Sequence, residues 1–319
     1  MPAATIPMPD SAPEGSEIEL VELDRDHPGF RDAEYRARRN AIARLAQEHR
    51  HGDPIVEVDY SEVEHGVWRV ALEQLAPLHA RHACRQYLEG WPLLGIDPGR
   101  VPSFADINRA LAATTGFSLV PVAGLVAARV FLTYLASGTF LSTQYVRHHS
   151  RPLYTPEPDV IHELIGHAAL LASPEFAALN RLFGRAAERA DEAEMEALIR
   201  VYWYTLEFGV VRAGERMEVI GAGLLSSSGE LGGFETQPQL LPFDIPTIAA
   251  TPFDPTDYQK VLFVGASTED VLARLTDWLE GILARPRDPS ASRAPALADP
   301  LGAVNLTSLA ASSFDEQRR

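Results

Sequence analysis

With 319 residues, 46% of them apolar and 23% charged, the chain has ordinary globular composition and enough length for one large domain or two small ones. A formal net charge of −16 leaves no basic surplus to neutralise phosphates, which argues against a nucleic-acid partner and against anionic membrane surfaces. The single cysteine, Cys84, rules out an intrachain disulfide and fits a reducing cytoplasm, where the protein is expected.

In chain order, residues 1–20 are rich in Pro, Ser and Ala and are expected to be disordered. They lack the basic start and apolar run of a secretory or transit signal. Asp26 to Phe30 reads as a turn, and a helix should run from Asp32 until His51-Gly-Asp-Pro54 stops it. Ser61 to Glu89 reads as one long helix, with Val63, Val67, Val70, Leu72, Leu75 and Leu78 suggesting its apolar stripe. Trp91-Pro92 and Asp97-Pro-Gly99 break the chain. Ser103 is placed to cap another helix, ended by Thr115-Gly-Phe117.

Phe117 to Leu141 is strongly apolar, with Arg129 its only charge. Pro121, Gly124 and Gly138 interrupt it, so a buried loop and helix is expected rather than a membrane span. Pro152, Pro156 and Pro158 fix an extended approach to a helix that begins near His162 and reaches about Ala172. Another helix begins at Pro174, and Glu192 to Arg212 reads as a further one, carrying Glu207. Gly221 to Glu230 is a small-residue turn, Gln259 to Val264 a short β-like run, and Ser267 to Leu283 an amphipathic helix. The tail from 287 to 319 is again rich in Pro, Ala and Ser and expected to be disordered. The expected fold is therefore mainly α: a single domain of packed helices with short β elements, covering residues 21–286.

The chemistry concentrates at His162, His167 and Glu207, two histidines and a carboxylate in helix-like stretches. Two imidazoles and one carboxylate on one face, with the other positions open, suit non-haem Fe(II) and O₂. The histidines are spaced i, i+5, not the i, i+4 of His-Glu-x-x-His zinc proteases. In a straight α-helix that spacing puts the rings roughly 140° apart. A π-type turn would return them to nearly one face, and Gly166 relaxes the backbone there. A zinc hydrolase with Glu163 as general base is the alternative from another class, and a non-catalytic binding protein is a third.

Several ordered blocks carry a resemblance. They are Leu23-Asp-Arg-Asp-His-Pro-Gly-Phe30, Tyr35-Arg-Ala-Arg-Arg39, Arg50-His-Gly-Asp-Pro54, Arg147 through His167, Tyr202 through Gly209, and Gly221 through Leu231. Together they resemble the catalytic domain of the tetrahydropterin-dependent aromatic amino acid hydroxylases. The resemblance implies a domain built around a non-haem iron site, with His162, His167 and Glu207 as iron ligands. It implies Arg147 on the carboxylate of the amino-acid substrate, Asp159 holding that arginine, and Thr155, Trp203 and Ser226 lining the substrate pocket. It places Phe131 and Glu163 beside the pterin and Gly124 and Leu125 along the pterin edge. Tyr202 stands near the iron, and with Glu163 it is one of two residues expected to serve catalysis. Arg39 and Glu157 are implied as a structural ion pair. Animal members have Ser-Ser-Arg-Asp-Phe where this chain has Ala127-Ala-Arg-Val-Phe131, removing polar side chains near the pterin.

The implied cofactors are Fe(2+) and a tetrahydropterin, with O₂ as co-substrate. The implied reaction is ring hydroxylation of an aromatic amino acid, with phenylalanine to tyrosine favoured. Tyrosine 3-hydroxylation and phenylalanine 3-hydroxylation are the alternatives. The expected partner is a small amino acid, with no nucleic acid and no membrane. The tail after Pro286 has no heptad pattern for tetramer assembly, which is compatible with a monomer.

Overall fold

In the computed structural model, which describes residues 21, 23–50, 53–255 and 257–285, α1 (Ala33–Glu48) begins where the Asp32 side chain accepts a hydrogen bond from the Tyr35 amide. The two expected disordered ends fall outside the described residues. Helix α2 (Glu62–His82) starts on a reciprocal cap, in which Ser61 and Glu64 each accept from the other's backbone amide. The long helix expected to Glu89 is in fact interrupted. Ala83 and Cys84 are extended, Cys84 N donates to Val219 O at 3.1 Å, and α3 (Arg85–Gly90) restarts the helix. Bridging to a strand satisfies the backbone there, which outweighs helical propensity. The buried face of α2 is also shifted. Trp68, Ala71, Leu72 and Leu75 are buried with Val67, whereas Val63 and Val70 are exposed.

After a 3₁₀ turn (Trp91–Leu94), Ser103 caps α4 (Phe104–Thr114) as expected. The apolar stretch that follows holds more than a loop and a helix. It forms β1 (Ser118–Val122), α5 (Ala128–Leu135) and β2 (Thr139–Thr143), the two strands pairing in parallel with Ser118 opposite Thr139. Both strands are almost entirely buried, so neither shows the alternation that marks a half-exposed strand. Among the described residues no helix is long and apolar enough to cross a membrane.

The segment His162–Ala168 is a π-helix that runs into α6 (Ala169–Leu171), and α7 (Pro174–Ala187) follows. Helix α8 (Glu192–Tyr202) is capped by Asp191 and passes into a second π segment, Trp203–Glu207. The helix expected to reach Arg212 ends there. Val210–Ala213 is instead β3, turning at Gly214 (φ 65°) into antiparallel β4 (Arg216–Val219). The small-residue stretch from Gly221 folds into α9 (Ala222–Leu225) and α10 (Ser228–Leu231). Strand β5 (Gln239–Pro242), α11 (Ile245–Ala250), β6 (Val261–Gly265) and α12 (Thr268–Ala284) complete the chain. The second sheet has the order β4-β3-β6-β5, with β6 parallel to both of its neighbours.

The architecture is mainly α, and one apolar core runs through it from Ile42 to Ile282. Cys84 lies in that core, and burial pushes its thiol up to about 12. The two π segments both pack against α9. Gly166 permits this approach, since a Cβ there would lie 2.6 Å from the Ala222 carbonyl oxygen.

Candidate metal centre and its surroundings

Both π segments carry the residues singled out by the sequence. The wider turn places His162 and His167 side by side, their Nε2 atoms 3.2 Å apart. Glu207, last residue of the second π segment, approaches both: Oε1 lies 3.1 Å from His167 Nε2 and Oε2 lies 3.7 Å from His162 Nε2. Bonds of about 2.1 Å from a metal put neighbouring donors about 3 Å apart. The three donors thus form a triangle of the size one ion requires, and their chemistry suits non-haem iron.

Electrostatics favour a cation at this point. Burial lowers the His162 imidazole to about 4, so it is neutral and has a lone pair to give. Burial opposes the ionised forms of His167 and Glu207, but their mutual attraction wins, raising the histidine and lowering the carboxyl. Glu163 also brings a carboxylate oxygen within 4.8 Å of both histidines. Burial pushes its carboxyl up to about 8, and it faces the Thr143 amide (3.4 Å) and hydroxyl (3.5 Å). Glu207 closes on both histidine Nε2 atoms, whereas Glu163 turns to Thr143, so Glu207 completes the triangle and Glu163 stands beside it.

Hydrogen bonds aim these donors. Ser226 donates its hydroxyl to Ala222 O at 2.9 Å, and its oxygen meets His162 Nδ1 at 2.8 Å. The hydroxyl proton being committed, Nδ1 must carry the hydrogen, which leaves Nε2 free for a metal. Asp159, fully buried, forks onto Arg147 (Nε 2.9 Å, Nη2 2.7 Å) and accepts from the Arg147 amide at 2.8 Å. Its Oδ1 also accepts from the His162 amide at 3.1 Å, so the arginine and the first histidine share one anchor. Burial opposes the Asp159 charge, but Arg147 overcomes it and holds the carboxyl below its usual range.

One layer out, Phe131 meets Phe140 edge-on (5.2 Å) and Tyr202 edge-on (5.7 Å), and Phe140 leans on His167 (4.7 Å). The Tyr202 hydroxyl donates to Asn180 Oδ1 at 3.1 Å. Trp203 stacks on Phe253 and donates its indole N–H to Gln259 Oε1 at 2.9 Å. Thr155 turns inward, donating to Glu157 O at 2.7 Å. Glu157 pairs with Arg39 at 2.9 Å, and the Arg39 guanidinium lies 3.3 Å over the Tyr145 ring. Gly124 and Leu125 sit on the partly exposed loop between β1 and α5. Sequence reasoning did not find Phe140, Asn180, Thr143, Phe253 or Gln259. None belongs to a spaced motif, and only folding brings them here.

The donor set is the one that a mononuclear centre of the two-histidine, one-carboxylate class would use. Comparison with known proteins places it further. Residues 16–288 match the family described as biopterin-dependent aromatic amino acid hydroxylase. The tyrosine 3-monooxygenase of Rattus norvegicus is 43% identical over 266 residues, covering 82% of this chain and 53% of the relative. The chloroplastic phenylalanine 4-monooxygenase of Chlamydomonas reinhardtii is 50% identical over 211 residues, covering 66% of this chain and 58% of the relative. A crystal structure of Chromobacterium violaceum phenylalanine hydroxylase with bound iron(III) and oxidised 7,8-dihydrobiopterin superposes with a TM-score of 0.65 at 33% identity. It matches 75% of this chain and 88% of its own. The chain belongs to the biopterin-dependent aromatic amino acid hydroxylase family. It spans little more than half the length of these two curated relatives, 53% and 58%.

Proposed function

We propose that this chain is an iron- and tetrahydropterin-dependent monooxygenase that converts phenylalanine to tyrosine. The observation that carries the reading is the donor triangle of His162, His167 and Glu207, tied through Asp159 to Arg147. Fe(2+) and the reduced pterin, when bound, supply the activation of O₂.

The protein's part is to bind, orient and exclude water. His162, His167 and Glu207 hold the iron. Arg147, locked by Asp159, takes the α-carboxylate of the amino acid, for which a guanidinium fork is well suited. Since Asp159 also accepts from the His162 amide, the substrate's head and the metal keep a fixed spacing. Thr155, Trp203 and Ser226 border the substrate's side, and Ser226 in addition orients His162. Phe131 offers its face to the pterin ring, and Gly124 and Leu125 offer backbone along the pterin edge. Glu163, largely neutral at pH 7, can donate a proton in a hydrogen bond toward pterin or water. Tyr202 acts as a positioning residue, setting Phe131 against the metal side. A cytoplasmic setting is part of the same proposal, since a single cysteine fits a reducing compartment.

Ring hydroxylation of tyrosine is the second reading, favoured by the 43% identity to a tyrosine 3-monooxygenase. A product assay separates the two. Iron-loaded protein receives a reduced tetrahydropterin and phenylalanine, tyrosine or tryptophan in turn, and the new hydroxyl is located. Tyrosine formed from phenylalanine, and lost in Glu207→Ala, is the expected result. Product only from tyrosine installs the second reading. Absence of pterin-dependent product from all three amino acids, with iron bound, sinks both.

A further inference from the structure

A second group of metal-ligating side chains stands apart from the iron triangle. Asp32, His148 and His149 each bring one donor atom to a common point, all three atoms lying within 4.8 Å of one another. The geometry points to a second divalent-cation site here, of zinc class, joining the start of α1 to the segment that carries Arg147.

The three side chains are arranged as ligands would be. Asp32 has divided its carboxylate: Oδ1 caps α1 by accepting from the Tyr35 amide at 3.0 Å, and Oδ2 stands 3.2 Å from His148 Nε2. That spacing already suits two donors on one ion, since bonds of about 2.0–2.1 Å place tetrahedral partners little more than 3 Å apart. His148 is buried, and its other nitrogen, Nδ1, faces the Ser150 hydroxyl at 2.7 Å. That nitrogen also accepts from the Ser150 amide at 3.2 Å, so with no cation bound the ring carries its proton on Nε2, toward Asp32. A cation at Nε2 takes that proton's place, and the ring proton passes by way of solvent to Nδ1, where it turns to the Ser150 hydroxyl, the orientation in which imidazoles usually ligate.

His149 supplies the third donor. Its ring lies 4.3 Å from that of His148 at 32°, and its side chain is exposed, so a small swing closes the remaining distance. Two imidazoles and one carboxylate favour zinc, copper or nickel over calcium or magnesium, which take oxygen ligands. Water would complete the coordination on the exposed side. The effect of such an ion is mechanical. Tyr35, on the first turn of α1, donates its hydroxyl to Val146 O at 3.1 Å, next to Arg147. A cation would replace the Asp32–His148 hydrogen bond with a metal tie between the same two pieces of chain.

The test uses the iron-loaded protein under anaerobic conditions, titrated with zinc chloride and desalted, with both metals counted. Zinc bound alongside undiminished iron is the expected result. In His149→Ala the iron content should stay unchanged while zinc affinity falls by about tenfold or more. Asp32→Asn keeps an acceptor for the cap and should weaken zinc in the same way. Zinc bound only as iron departs, zinc bound by both variants as tightly as by the parent, or no zinc bound at all overturns the site. His149 is exposed, so its variant reads the site and not the fold.

Discussion

The floor of the site and its rim differ in what holds them. On the floor, His162, His167, Glu207, Asp159 and Arg147 are fixed by hydrogen bonds and ion pairs that need no ligand. Around the rim, Gly124 has no heavy atom within 4 Å of where a Cβ would stand, and Leu125 is 37% exposed. The proposed iron would tolerate little misplacement, and the fold itself sets these donors. Planar organic ligands tolerate more, and the loops that meet them can complete their shape on binding.

The sharpest way to break this contrast is at Glu207. Glu207→Gln should abolish retained iron and lower turnover by at least about 100-fold while the circular dichroism spectrum stays native. Retained iron would show that the triangle is not the metal site. Next in size is Asp159→Asn, which leaves Arg147 buried opposite a neutral partner. A loss of about 3–5 kcal/mol in urea unfolding is expected. A loss below about 1 kcal/mol would mean that solvent already reaches the pair.

Acid should act from beneath the floor. His79 is buried, donates to Leu225 O beside Ser226, and faces the Tyr87 hydroxyl. Burial lowers its imidazole to about 4 in the folded protein, against 6.5 for the free side chain. The unfolded chain therefore takes up the proton first. Stability from this group is complete above pH 6.5 and is lost as pH falls toward 4, on the order of 3 kcal/mol. Unfolding midpoints measured across that window should depend less steeply on pH in His79→Gln than in the parent. Equal slopes would remove His79 from the account.

Smaller still, Ser226→Ala should cost about 1 kcal/mol of stability but about 10- to 100-fold in iron affinity, since His162 loses its aim. Unaltered iron binding in that variant would assign the serine to the substrate alone. The rim should respond least. Gly124→Ala should change stability by less than about 0.5 kcal/mol while raising the KM for the pterin. A large drop in melting temperature would show that the rim is as rigid as the floor.

How far the sequence shows all this depends on local spacing. The first π segment is legible because two ligands in one helix set a distance that only a wider turn can close. The second, at Trp203–Glu207, carries a single ligand, and nothing in its own helix tests its phase. Strands β1 and β2 escape notice because burial on both faces erases alternation, and the break at Ala83 depends on Val219, far along the chain. Asp159 is a middle case. Its place three residues before His162 is that of a helix cap, but its second duty on Arg147 needs the fold.

The π segment at His162 also bears on how this protein could change length. A π turn holds an extra residue within a helix whose flanks keep their α phase. Losing one residue between the histidines would let the helix relax to ordinary α geometry. His162 and His167 would then be one position closer in sequence and still share a face. Downstream, Ala169 could go on packing against Gly90, where the approach leaves no room for a Cβ. A frame-preserving loss of three nucleotides, which would derange most buried helices, is thus structurally absorbable at the metal site itself.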